Sequence, residues 1–268
     1  MIVSSDAGRF VAWGNAYLTG TVSLDEAALA ITGEIDVHRV QPWDDSTQVL
    51  AVTHALGLIR GSGVTGLRLV LPVPGDVVGV PGPASAAALA AQAGEAVVTV
   101  AESSVPAHML IPSRAIERSS QRSTTLWTPT KVDVTRAPFG LPTLSEAERQ
   151  LTQAMADSTQ ALTTLDTARG RSEMAGEIAG LTRATEHINL PPGLPVRAQR
   201  MIASGHRLRG IVALARRTDG AGVSASSANL RRDALTPLDQ AARYALCAAY
   251  SAQVEIVELD KLRRGFSR

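Results

Sequence analysis

LRLVLPVPGDVVGVPGPASAAALAAQAGEAVVTV, residues 67–100, reads as strand, loop, helix and strand. Leu67, Leu69 and Leu71 with Val70 between them make a nearly continuous apolar run, as expected in a sheet covered on both faces. Pro72, Pro74, Pro81 and Pro83 then fix four φ angles and remove four backbone donors, so the loop is stiff. Gly75, Gly79 and Gly82 permit positive φ or a close backbone approach, and Asp76 is a turn former. Ala84 to Ala93 reads as a helix with Gly94 as its C′ residue, and Ala96 to Val100 as the next strand.

Upstream, Arg9 to Thr19 reads as two short strands around the hairpin signal Gly14–Asn15. Ser23 with Glu26 forms a capping box for a short helix ending at Gly33, and Ile35, Val37 and Val40 mark a strand. Asp44 to Thr47 supply N-cap chemistry for a helix carrying Val49, Val52, Leu56 and Ile59, which stops at Gly61 to Gly63.

Downstream, Val105 to Ile111 and Thr124 to Thr130 read as strands joined by a polar linker, residues 113–123. Pro138, Gly140 and Pro142 make Arg136 to Pro142 a hinge. Beyond it the period becomes helical. Thr143 and Glu146 form a second capping box, followed by a seam of Leu144, Glu148, Leu151, Met155, Ser158, Leu162 and Leu165. Met174, Ile178, Leu181, Thr185 and Ile188 resume the stepping out of phase, which places a break at Gly170. Residues 191–195, PPGLP, start a third helix with Met201, Gly205, Leu208, Val212 and Ala215 on one face, ended by Asp219 to Gly222. Thr236 and Pro237 read as N-cap and N1 of a last helix whose Leu238, Ala241, Ala242, Ala245, Ala249 and Ala252 form a narrow face for close approach.

The expected fold is therefore α+β or α/β: a mixed-sheet domain with two to three helices over residues 1–140, and a helical domain, an antiparallel bundle or hairpin, over 141–268. A mixed sheet follows from combining a hairpin with strand–helix–strand units, which favour parallel pairs.

Composition narrows the function classes. The 26 basic and 25 acidic residues give a net charge of +1, which argues against nucleic acid or an anionic membrane as partner. Residues 197–217 are rich in arginine, but Arg197, Arg200, Arg207, Arg209, Arg216 and Arg217 flank the apolar face on both sides and do not form one stripe. Lysine occurs only at Lys131 and Lys261, and with abundant Ala, Val and Gly this reads as the codon bias of a GC-rich bacterium. No run reaches the ~18 apolar residues of a membrane span, the first residues lack a leader pattern, and Cys247 is single. A cytoplasmic protein is the expectation.

No motif carries a specific chemistry. His38, His54, His108, His187 and His206 have no metal-ligand spacing, and no nucleophile elbow is present around Ser104, His108 or Ser113. Asp44 and Asp45 resemble a carboxylate pair but read as capping charges. No cofactor and no metal are expected. The leading functional expectation is a non-enzymatic interaction or assembly protein that meets a protein partner, or a second copy of itself, through its C-terminal helices. The alternative is a binder of, or enzyme acting on, a phosphate- or nucleotide-containing small molecule at loop 72–83. Its site residues would be Gly75, Asp76, Gly79 and Gly82, with Arg68, His108 and Arg114 nearby.

Overall fold

The computed structural model describes residues 5–33, 36–43, 48–101, 105–116, 123–133, 141–164, 171–217 and 225–254. The chain divides into two compact units, one of Ser5–Leu141, Asn189–Pro195 and Tyr250–Arg268, the other of Met1–Ser4, Pro142–Ile188 and Val196–Ala249. No described helix is long and apolar enough to cross a membrane.

The first unit is built on a six-stranded mixed sheet. Its elements are α1 (Asp6–Leu18), α2 (Leu24–Thr32), β1 (Val37–Val40), β2 (Leu50–Ala51), α3 (Val52–Gly61), β3 (Val64–Val70), α4 (Ala84–Ala93), β4 (Ala96–Ala101), β5 (Ala107–Ile116) and β6 (Ser123–Val132). The strand order is β2-β1-β6-β5-β4-β3. Only β1 and β6 are parallel neighbours; β3–β4, β4–β5, β5–β6 and β1–β2 are antiparallel. The sheet is mixed as expected, but the strand–helix–strand unit at 67–100 does not make a parallel pair. Helix α4 returns the chain beside β3 in the opposite sense and covers one face, where Ala86 and Ala90 meet Val70, Ala96, Val98, Met109 and Ile111. Its small residues permit that close approach, and Gly94 ends it at φ 78°.

The largest departure from the sequence reading is at residues 9–19, which form no strands. Residues 9–18 belong to α1, with Thr19 as its C-cap; the helix is capped at its start by the Ser5 hydroxyl, which accepts from Gly8 N–H at 2.8 Å, with Asp6 in its first turn. Gly14 and Asn15 make no turn. A Cβ on Gly14 would lie 2.5 Å from Leu67 Cδ1, so glycine lets the helix reach β3. The Asn15 amide then accepts from Leu67 N–H (2.7 Å) and donates to Leu67 C=O (2.9 Å). Leu69 N–H donates to Ser251 Oγ at 3.0 Å, and Val254 packs on Gly66. Side chains thus occupy the outer edge of β3 where another strand would otherwise pair.

Smaller corrections follow local chemistry. The Ser23 cap holds α2 as expected, accepting from Glu26 N–H at 3.2 Å. Helix α3 begins only at Val52, because Leu50 and Ala51 pair with β1, and Asp44 to Thr47 lie outside the described residues. The expected polar linker is partly strand: β5 runs on to Ile116 and pairs with Ser123, since a hairpin ladder can continue on exposed polar residues. The hinge at Arg136 to Pro142 lies, apart from its last residues Leu141 and Pro142, outside the described residues.

The second unit is helical: α5 (Leu144–Thr164), α6 (Arg171–Glu186), α7 (Val196–Arg217) and α8 (Ala225–Tyr250). The Thr143–Glu146 box forms, with Thr143 N–H donating to the Glu146 carboxylate at 2.9 Å. On α5 Leu151 and Ser158 of the expected seam are buried, together with Ala147, whereas its members Glu148 and Met155 are exposed. Glu148 instead pairs with Arg197 of α7 (Nε 2.8 Å). Gly170, Leu165 and Asp219 to Gly222 lie outside the described residues. Pro237 does not start a helix; it lies within α8, where Thr236 Oγ1 donates back to Arg232 C=O at 2.8 Å. The small-residue face is used internally. Ala242, Ala245 and Ala249 are fully buried, and a Cβ on Gly205 of α7 would come within 2.8 Å of Leu246.

His206 of α7 is buried, and that burial, helped by the Arg209 charge, pushes its pKa down to about 4. An unfolded histidine takes up its proton near pH 6.5, earlier than the folded one. Stability from this group is therefore complete above pH 6.5 and is lost as pH falls toward 4, a total of about 3 kcal/mol. Urea denaturation at pH 7 and pH 4.5 should show that loss in the wild type and a flatter dependence in His206→Gln; equal slopes would contradict the assignment.

Candidate functional site

Loop 72–83 is folded on itself. Val73 and Asp76 exchange backbone hydrogen bonds (3.0 and 2.9 Å), Gly75 and Gly79 have φ of 86° and 84°, and Asp76 Oδ1 accepts from Val78 N–H at 3.4 Å. A Cβ on Gly79 would lie 2.6 Å from Leu141 Cδ1, and Gly82 C=O accepts from Asp133 N–H at 3.3 Å. Val80 of the loop and, beside Gly79, Leu141 pack on the α4 side of the sheet.

The three side chains grouped with the loop in the sequence reading are not brought together. Arg68 pairs with Val98 across β3–β4 and so lies on the α4 face, whereas His108 lies on the opposite face, its N–H bonded to Thr99 Oγ1 at 2.8 Å. The His108 ring meets Trp43 edge-on at 6.2 Å. Arg114 shares the His108 face but is six residues along β5, roughly 20 Å away at the rise of a strand. Ser113 points to the other face from His108, and Ser104 lies outside the described residues.

What Arg114 meets is a buried polar cluster at the N-terminal end of α1. Asp6, 2% exposed, pairs with Arg9 Nη2 at 2.8 Å and with Arg114 Nη2, and Thr125 Oγ1 donates to it at 3.3 Å. Burial pushes the Asp6 carboxyl up, but the hydrogen bonds and charges of the two arginines outweigh this and hold it below its ordinary value. Beside it, the Glu95 carboxylate accepts from the Ser5 hydroxyl (2.6 Å) and from Ala7 N–H (3.2 Å). Here burial dominates, the Asp6 charge adds to it, and Glu95 is pushed up. The Tyr250 ring sits on Gly8, where a Cβ would be 2.9 Å away, and burial raises its phenol.

His38, 1% exposed, completes the cluster. Trp127 Nε1 donates to its Nδ1 at 3.2 Å. An indole N–H only donates, so Nδ1 carries no proton and the ring is held as the neutral Nε2–H tautomer. Burial lowers its pKa in the same sense.

Next to this cluster an open cleft of about 380 Å³ lies between α2, β1 and the start of α3. Its walls are Asp25, Ala28, Leu29 and Thr32 from α2, Asp36 to Arg39 from β1 and the residue before it, and Ala51 to Thr53.

Residues 7–144 match the model of the Rv1486c-like protein, N-terminal domain, and residues 145–247 that of the Rv1486c-like protein, C-terminal domain. The chain belongs to the Rv1486c-like protein family. No curated protein and no solved structure matches it. The two family models meet between residues 144 and 145, whereas the sheet unit of this Rv1486c-like chain also takes in Asn189–Pro195 and Tyr250–Arg268.

Sequence reasoning missed Ser5, Asp6, Glu95 and His38 as a group, because they come from three distant segments. One signal was available: Glu95 is a lone charge between the helix stop Gly94 and an apolar strand. Glu95→Gln keeps the acceptor for Ser5 and Ala7 but removes a charge that the fold disfavours. The variant should be more stable than the wild type at pH 8. The gain should shrink as pH falls through the raised Glu95 pKa, where the wild type becomes neutral too. Thermal melts from pH 8 to pH 4 check this, and a variant less stable throughout would contradict it.

Proposed function

We propose that this chain works by binding and not by bond-making: a cytoplasmic, non-enzymatic interaction or assembly protein. The observation that carries this reading is the mutual pairing of the ionisable groups in the sheet unit. Asp6 is held by Arg9 and Arg114 and Glu95 by Ser5 and Ala7, which fasten α1 to the sheet, while Trp127 holds His38 Nδ1 between β1 and β6 and leaves Nε2 without a partner among the described residues. The partner, a second protein or a second copy, is proposed to meet helices α5 to α8, and these to form an antiparallel bundle. Opposed contacts of α7 and α8 support the bundle, with Gly205 beside Leu246 and Val212 clustered with Leu235. Met155, Val196 and Leu230, at 44%, 60% and 51% exposure, supply apolar surface for the partner.

Light scattering during size-exclusion chromatography, across a concentration series, is the test. A mass above 28.1 kDa that Met155→Asp or Leu230→Asp returns to the monomer supports self-association. If the wild type stays monomeric, affinity capture should recover a partner that the same variants lose. A monomer that captures nothing specific would sink the reading.

A second reading, a small-molecule binder, is favoured by the open cleft beside β1. Loop 72–83 offers it less, since its backbone groups bond within the loop and to Asp133.

A further inference from the structure

We infer that the cleft between α2 and β1 takes a small aliphatic monocation, an alkylammonium group with a hydrocarbon body; this rests on the ligand-binding reading just given. Its walls supply Ala28, Leu29 and Val52 as apolar surface, and Leu29 is 65% exposed at the rim. Leaving such a side chain in water is unfavourable, and a hydrocarbon laid across it recovers part of the hydrophobic free energy. That accounts for the body of the ligand.

The charge follows from the ionisable groups in the lining. Asp25 is exposed and has no hydrogen bond or ion pair among the described residues. Asp36 accepts from the Ser123 hydroxyl, which leaves its charge in place. Arg39 Nη1 donates to His38 C=O at 3.3 Å, and its one positive charge offsets one carboxylate. His38 adds none, because the Trp127 N–H on Nδ1 keeps its ring neutral. Among the described lining residues, two carboxylates against one guanidinium leave one negative charge in a partly apolar cleft. An anion would meet both carboxylates, and a dication would exceed the single net charge of the described lining. A bare metal ion finds no group of three ligating side chains among the described residues. A single ammonium on a hydrocarbon chain satisfies both the charge and the walls.

The ammonium can belong to a free amine or to a lysine side chain of a partner, and the test separates the two. The full-length chain, ¹⁵N-labelled, is titrated at low salt and pH 7 with hexylamine, hexanol, hexanoate and Nα-acetyl-lysine amide. Hexylamine should give saturable shifts at Ala28, Leu29, Val52 and Thr53, with at least five-fold weaker binding of hexanol and none of hexanoate. Asp25→Asn should weaken hexylamine at least five-fold and leave hexanol unchanged. Asp25 is exposed and Ser23 is the cap of α2, so this variant keeps the fold. Acetyl-lysine amide binding as tightly as hexylamine assigns the cleft to a protein side chain, and weaker binding assigns it to a free amine. Hexanoate or hexanol binding as tightly as hexylamine, or an unchanged affinity in Asp25→Asn, overturns the cation while the ligand-binding reading stands. No saturable shift with any of the four overturns both.

Discussion

Asp6→Ala is expected to destabilise the chain by about 3 kcal/mol, at the lower end of the range for breaking a buried ion pair. The substitution removes one carboxylate and strands two guanidinium groups and a threonine hydroxyl that all converge on it. The cost stays at the lower end because Arg114 is 45% exposed and can turn its head into water once the partner is gone. Asp6→Ala with Arg114→Ala should recover part of the loss, giving a coupling of about 1–2 kcal/mol. The pH dependence has a definite sign. Because the folded Asp6 is held below its ordinary value of 3.8, its stabilisation is present above that pH and disappears as pH falls through the lowered value. Urea denaturation at pH 7 and pH 3 would show it. A change within ±0.5 kcal/mol at pH 7 would mean that the cluster does not hold α1 to the sheet.

Asn15→Ala should cost about 3 kcal/mol by a different route. No charge is involved; the loss is of partners for Leu67 N–H and Leu67 C=O, both buried under α1, and each unpaired buried group costs about 1–3 kcal/mol. Asn15→Asp separates the two bonds, since a carboxylate still accepts from Leu67 N–H but has nothing to donate to Leu67 C=O. It should lose about half or more of the same stability. Amide exchange at Leu67 reads the effect directly. Protection unchanged in Asn15→Ala, with unchanged stability, would show that the clamp contributes nothing.

These two residues also show what can be read from a sequence and what cannot. Helix ends written in local chemistry were legible: Ser23 with Glu26, Thr143 with Glu146, and Gly94 after the alanine run all act within one turn. Strands β3 and β4 were legible because their apolar runs are continuous. Gly14–Asn15 was misread because the same pair that makes a hairpin turn can serve a helix, and the choice is set by Leu67, more than fifty residues away. Thr236–Pro237 was misread for a related reason: a proline is tolerated inside α8, a helix held on both sides of it by buried Leu235 and Leu238. The antiparallel β3–β4 pair was hidden because a helical connection permits either direction. The polar cluster was hidden most completely, since Asp6, Glu95 and Arg114 meet only after the sheet has assembled. The cleft depends in turn on β2 being two residues long, which leaves the start of α3 beside β1.

The edge of β3 has a consequence for how the protein is made. Asn15 leaves the ribosome before β3, but Ser251 and Val254 are among the last described residues of the chain. During synthesis the sheet can therefore form with half of its edge clamp in place and Leu69 N–H still open. A chain truncated after residue 141 should show fast amide exchange at Leu69 beside a protected Leu67. Extending the chain through Val254 should protect both, so that the sheet is completed only by residues that follow α8.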